Sequence, residues 1–157
     1  MAGAEGLSLG FVGTVSNHPF ALRTNNSERM RITDTGNVGI NITNPSTILH
    51  ANGEITATDF NTTSDLNVKE NIEIISDAVV KVSQINGVTF NFKADSTKQR
   101  HAGVIAQDVE KVLPEAVKEL SGGVKHVAYG NLIGLLIEAI KDQQKQIDEL
   151  KSLLQNK

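Results

Sequence analysis

The chain has 157 residues, a formal net charge of −3, 39% apolar residues and only 4% aromatics. That length allows one ordinary domain or two small ones, and the charge excludes a general electrostatic attraction to nucleic acid or anionic membrane. The absence of cysteine excludes a disulfide framework and a thiolate metal site, and there is no run of about 18 apolar residues to insert in a membrane.

Residues 1–6, Met-Ala-Gly-Ala-Glu-Gly, lack the charged and apolar regions of a signal peptide and read as a start placed within a longer protein. A monomer so poor in large side chains builds only a thin core. Part of the chain is therefore expected to be extended, or other copies complete the core.

Composition breaks near residue 63. Residues 1–63 contain no lysine, and 25 of those positions are Thr, Asn or Gly, whereas residues 64–157 contain 11 lysines. The break predicts two units, 1–63 and 64–157. In the first, turn signals at Asn25-Asn26, Asp34-Thr35-Gly36-Asn37, Asn44-Pro45 and Asn52-Gly53 separate short strand-like runs. These runs are Leu7–Phe11, Phe20–Arg23, Met30–Thr33, Val38–Ile42 and Ile48–His50, and residues 54–60 alternate with period two. Each run carries few apolar residues, so burial in one chain gains little against ordering entropy. Association of several chains removes that difficulty. A globular β-sandwich is the other reading, but it calls for longer strands and more aromatics.

The second unit reads as mixed α+β. Apolar residues across Ile72–Ile85 fall close to helical spacing. Gly87–Phe92 alternates like a strand, and Ala102–Ala106 and Val124–Val127 are further strand candidates, the last after the Gly122-Gly123 turn. Val109–Leu113 reads as a short helix stopped by Pro114. From about Tyr129 to Gln155 runs a long helix. Its residues Ile133, Leu136, Ile140, Gln143, Ile147, Leu150 and Leu154 follow 3-4 spacing over about three heptads, the seam of a coiled coil. A solitary amphipathic helix packed on its own domain is the alternative. Ile at a with Leu at d leans toward dimers, and Gln143 specifies register more than number.

Residues 63–72, Thr-Ser-Asp-Leu-Asn-Val-Lys-Glu-Asn-Ile, resemble the opening signature of the intramolecular chaperone domain of phage tailspikes and endosialidases, the peptidase S74 family. Three further blocks resemble that family in its order: Val88–Lys93, Gly103–Glu110 with Leu113-Pro114-Glu115, and Val127-Ala128-Tyr129 leading to Ala139-Ile140-Lys141. The run Glu28–Ile40 resembles a common fibre element. Asn67 and Val68 stand where an Arg-Leu pair is frequent, which leaves the signature serine and lysine untouched.

The resemblance implies an N-terminal β-rich, intertwined trimeric stalk, then a small α+β chaperone domain ending in a long coiled-coil helix. It implies a homotrimer that templates the stalk and then releases itself by cutting between Thr63 and Ser64. It also implies a virion tail fibre or tailspike assembled in the host cytoplasm, with a host-surface receptor as a possible partner of the mature fibre. No cofactor, metal, nucleic acid or membrane insertion is implied.

The chemistry asked of the cut site is specific. Ser64 is the expected nucleophile and Lys69 the expected base, but a lysine amine with a free pKa of about 10.4 accepts a proton only once desolvated or set near other cations. On a straight helix a five-residue spacing points the two side chains apart, so the pair requires a turn. Backbone N–H groups or a polar side chain should stabilise the oxyanion, with Asn71 as a candidate donor and Asp65 as support. The plainer reading of these residues is a helix N-cap at Ser64-Asp65 with Lys69 and Glu70 as solvated charges. His18, His50, His101 and His126 are scattered without metal-ligand spacing. Two further readings stay open: a receptor-binding tip, although one Tyr and no Trp offer little for sugar stacking, and a trimerisation module without chemistry.

Overall fold

The structure, a computed structural model, describes residue 10, residues 12–120 and residues 122–155. The chain divides into two compact units, Met1–Thr62 and Thr63–Lys157. The described residues form a mixed α+β protein with three small sheets and a long C-terminal helix.

The first unit is one four-stranded sheet in the order β1-β2-β3-β4. Strands β1 (Phe20–Thr24) and β2 (Ser27–Ile32) form an antiparallel hairpin. Its two-residue turn is Asn25-Asn26, with φ of 49° and 54°. Asparagine tolerates this left-handed geometry, which matches the twist of the flanking strands. Strand β3 (Val38–Ile40) pairs antiparallel with β2, and β4 (Leu49–Ala51) pairs parallel with β3. Gly39 is required at its position, because a Cβ there would collide with the backbone carbonyl of Ile42. A bulge between Leu22 and Arg23 shifts the register, so Arg23 faces Glu28. This brings Glu28 to the face of Arg31, whose guanidinium grips it through two bonds, Nε to Oε1 at 2.7 Å and the second nitrogen to Oε2 at 2.8 Å. The Arg31 hydrogen bond holds the Glu28 carboxyl below its ordinary pKa.

Four of the expected strand runs lie where β1 to β4 form; the run at Leu7–Phe11 lies outside the described residues except for Gly10. Residues 54–60 form no strand, a correction to the period-two reading. Alternation alone does not make a ladder, and this segment has no hydrogen-bonded neighbour.

The second unit builds its core among three helices. These are α1 (Ala78–Ser83), α2 (Ala106–Val112) and α3 (Leu132–Gln155). Ala78, Val109, Val112, Leu113, Ala116, Leu135 and Ala139 are its buried residues. Two antiparallel hairpins flank them: β5 (Gly87–Phe90) with β6 (His101–Val104), and β7 (Val117–Glu119) with β8 (Lys125–Val127). Gly122 and Gly123 sit in the second turn at φ of 92° and 73°, which glycine adopts without strain. Lys125 pairs with Glu110 of α2, with Nζ 2.6 Å from Oε1, and this contact raises the lysine pKa.

The helix expected across Ile72–Ile85 is shorter than its apolar spacing suggests and begins only at Ala78. Asn71 and Asp77 both adopt left-handed φ, at 52° and 54°, which breaks a helix on either side of residues 72–76. The β-branched Ile72, Ile74 and Ile75 also favour extended backbone. Ile75 packs on the core, while Ile72 and Ile74 are exposed.

Helix α3 presents two apolar faces. Leu132, Leu135 and Ala139 serve the core of the unit. The heptad seam lies on an adjacent face, and its apolar members are exposed, from 46% at Ile147 to 73% at Leu154. The helix therefore packs on its own domain through residues other than the seam. No described helix is long and apolar enough to cross a membrane.

Candidate active site

Thr63, Ser64 and Asp65 run as exposed, irregular chain into a single 3-10 turn at Leu66–Val68. Asp65 caps that turn: its backbone is extended, at φ −65° and ψ 140°, and its Oδ1 accepts from the Asn67 backbone N–H at 2.7 Å and from Asn67 Nδ2 at 2.9 Å. A short side-chain oxygen at an N-cap favours this local geometry. The backbone N–H of Lys69 closes the turn on the Leu66 carbonyl at 3.2 Å. Lys69 itself returns to extended backbone, at φ −119° and ψ 146°.

This path brings the two ends of the turn together. Lys69 Nζ lies 2.7 Å from Ser64 Oγ, in hydrogen-bond contact. A 3-10 turn closes in three residues rather than 3.6, and its extended flanks let the long lysine side chain fold back. A serine and a lysine five residues apart thus meet without help from any other element. Asp65 acts on the pair through the backbone, by capping the turn between them.

Asn71 is not brought into that contact. It sits two residues beyond Lys69 in left-handed backbone and lines an open cleft with Ile75, Lys81, Leu113, Pro114 and Asn131.

Two neighbours escaped the sequence reading. Leu66 and Val68, both on the turn, are 72% and 66% exposed. Two bare apolar side chains beside a serine–lysine pair form a surface that a neighbouring molecule can dry. The signal was present in the sequence as Leu-x-Val between the two polar residues, and attention to the polar residues alone passes over it.

The histidines take other parts. His101 opens β6 and stacks on Phe90, with ring centroids 5.8 Å apart, and meets Phe92 edge-on at 5.0 Å. His18 bonds Ser16, and His50 bonds Ser46. Among the described residues no group of three or more His, Asp or Glu side chains is placed to hold a metal ion.

The model of the chaperone of endosialidase family matches residues 64–118, so the matched segment opens on Ser64. The chain is also similar to long tail fiber protein Gp37 of Salmonella phage S16, 36% identical over 111 residues, covering 65% of this chain and 15% of that protein. It resembles the Gp37 proteins of Enterobacteria phages K3 and T2, each 36% identical over 98 residues, covering 58% of this chain and 8% and 7% of those proteins. The chain thus spans less than a sixth of the length of these relatives. The matched segment and the serine–lysine contact both start at Ser64, so the similarity to the chaperone of endosialidase family takes in the candidate site.

Proposed function

We propose that residues 64–157 are an intramolecular chaperone that trimerises, templates the β-rich stalk segment of residues 1–63, and then severs itself between Thr63 and Ser64. The observation that carries this reading is the 2.7 Å contact between Lys69 Nζ and Ser64 Oγ. The relatives, named as long tail fiber proteins, support a role in a phage tail fibre, and hence in the virion.

The cut takes two steps. A neutral Lys69 amine accepts the Ser64 hydroxyl proton as Oγ attacks the carbonyl carbon of Thr63. Backbone N–H groups of the turn, or the Asn71 amide, donate to the oxyanion. The Thr63–Ser64 C–N bond then breaks, Lys69 returns its proton to the Ser64 nitrogen, and the Thr63 acyl group rests on Oγ as an ester. Water hydrolyses that ester, leaving a carboxylate at Thr63 and a free amine and hydroxyl at Ser64. Asp65 supports the pair by holding the turn.

Assembly supplies the trigger. Both members of the pair are exposed in one chain, and a lysine amine loses its proton readily only when withdrawn from water. Leu66 and Val68 give a second copy a surface on which to dock and exclude that water. The α3 seam, apolar, exposed and heptad-spaced, gathers the copies. Intact-mass measurement tests the reading: fragments ending at Thr63 and starting at Ser64 are expected, and Ser64→Ala abolishes them. An intact wild-type chain in a fully assembled sample would sink it.

A further inference from the structure

The lysine of the candidate site stands among carboxylates. Asp65, Glu70 and Glu73 all lie within four residues of Lys69. Any of them, brought against the ammonium, would hold its proton in place and oppose the neutral amine that the cut needs. Among the described residues, however, Lys69 takes part in no ion pair, and its Nζ goes to the Ser64 hydroxyl at 2.7 Å.

The course of the chain turns two of the three away. Glu70 follows Lys69, whose backbone is extended, and successive side chains of extended backbone point to opposite sides. Glu73 lines the open cleft that Asn71 also lines. Asp65 is the competitor that the fold does not remove. It starts the 3-10 turn that Lys69 ends, and it is one residue nearer to Lys69 in sequence than Ser64 is. The turn closes through the Val68 N–H on the Asp65 carbonyl and the Lys69 N–H on the Leu66 carbonyl, each at 3.2 Å. The closure that brings Ser64 to the lysine therefore brings Asp65 with it.

Asn67 restrains that carboxylate. Asp65 Oδ1 accepts from the Asn67 backbone N–H at 2.7 Å and from Asn67 Nδ2 at 2.9 Å. The backbone donor makes the N-cap bond. The side-chain donor satisfies no further backbone group; what it does is fix the orientation of the carboxylate. A swing of Asp65 toward Lys69 Nζ then breaks two hydrogen bonds rather than one.

We infer that Asn67 is a positioning residue: its amide holds the Asp65 carboxylate on the turn, so that Lys69 meets the Ser64 hydroxyl instead of a carboxylate. The inference deepens the proposed cut and rests on it. Asp65 thus plays two opposed parts, as the cap acceptor that aids the pair and as the charge that competes for the lysine, and Asn67 separates them. Asp65, Asn67 and Lys69 are all exposed, and one side-chain hydrogen bond shifts such an equilibrium about two- to tenfold.

The test measures the rate of cutting between Thr63 and Ser64 by intact mass, on full-length wild type, Asn67→Ala, Asp65→Asn and the double variant, in fractions of equal assembly. Asn67→Ala should slow the cut by roughly threefold or more, because the carboxylate is released toward the ammonium. Asparagine caps a turn as well as aspartate but carries no charge. In the Asp65→Asn chain the further change Asn67→Ala should therefore alter the rate by less than roughly twofold. Damage to the turn itself would slow both backgrounds alike, so equal slowing in the two overturns the inference, as does a wild-type rate in Asn67→Ala. An Asp65→Asn chain that no longer cuts also overturns it, since a charge that must be restrained is not one that the reaction needs. Each of these results leaves the Ser64–Lys69 cut standing, whereas an assembled wild type that never cuts overturns both.

Discussion

The backbone N–H of Val104 donates to the hydroxyl oxygen of Tyr129 at 3.2 Å, and that hydroxyl lies directly over Gly103. A Cβ at position 103 would collide with it. The contact ties β6 to the 3-10 turn of Tyr129–Asn131 that leads into α3. Gly103→Ala should therefore displace the half-exposed Tyr129 and lower the unfolding midpoint of the second unit modestly, by about the 0.5–1.5 kcal/mol of the hydrogen bond it breaks. Tyr129→Phe in the same chain should recover part of that loss, because it removes the colliding oxygen. Denaturant titration of the two single variants and the double variant reads the coupling directly.

The Glu28–Arg31 pair predicts an acid limit for the first unit. The Arg31 hydrogen bond lowers the Glu28 pKa in the folded state. The folded chain thus binds this proton less readily than the unfolded chain, and the pair stabilises the fold above the ordinary glutamate value of about 4.3. The contribution disappears as pH falls through the lowered folded value. Thermal melts between neutral pH and pH 3 should show the difference between wild type and Glu28→Gln shrinking over that acid window. A difference independent of pH would contradict the assignment.

The two faces of α3 should separate folding from assembly. Leu135 is fully buried in the core, and Leu135→Ala should cost about 2–5 kcal/mol of unit stability. Ile140 is on the exposed seam. Ile140→Asp should leave the circular dichroism of the unit unchanged and weaken self-association by roughly tenfold or more, since a seam position tolerates charge poorly. Sedimentation equilibrium on both variants checks this. Loss of fold in Ile140→Asp, or unchanged assembly, would contradict it.

Leu66 and Val68 supply the proposed link between assembly and the cut. Leu66→Asp places a charge and its water beside the pair without touching Ser64 or Lys69. It should slow cleavage by roughly tenfold or more in protein that still assembles, because desolvation is what frees the lysine amine. Stopped samples analysed by mass give the rate. A wild-type rate in this variant would show that the apolar turn plays no part.

Much of the fold was legible because short-range rules governed it. The Asn25-Asn26 turn, the glycines at 122 and 123, the stop at Pro114 and the 3-4 spacing of α3 each act within a few residues, and each element formed where its signal stood. Strand β7 escaped notice because Val117-Lys118-Glu119 has little apolar content, and its strand state comes from pairing with Lys125–Val127. Periodicity misled at 54–60, where no strand pairs alongside, and at 72–77, where left-handed Asn71 and Asp77 break the helix although Ile75 still reaches the core. The site divided in the same way. The five-residue spacing of Ser64 and Lys69 demanded a turn, and the Asp65 cap made one. The exposure of Leu66 and Val68 depends on the packing of the unit, which residue spacing does not encode.

The proposed cut requires that Lys69 activate Ser64. The most direct measurement is the intact mass of wild type and Lys69→Ala over time, taken on fractions of equal assembly. Wild type is expected to resolve into fragments parted between Thr63 and Ser64, and Lys69→Ala to stay intact at least roughly 100-fold longer, the usual contribution of a positioned base. Cleavage of Lys69→Ala at the same bond and at the wild-type rate would contradict it.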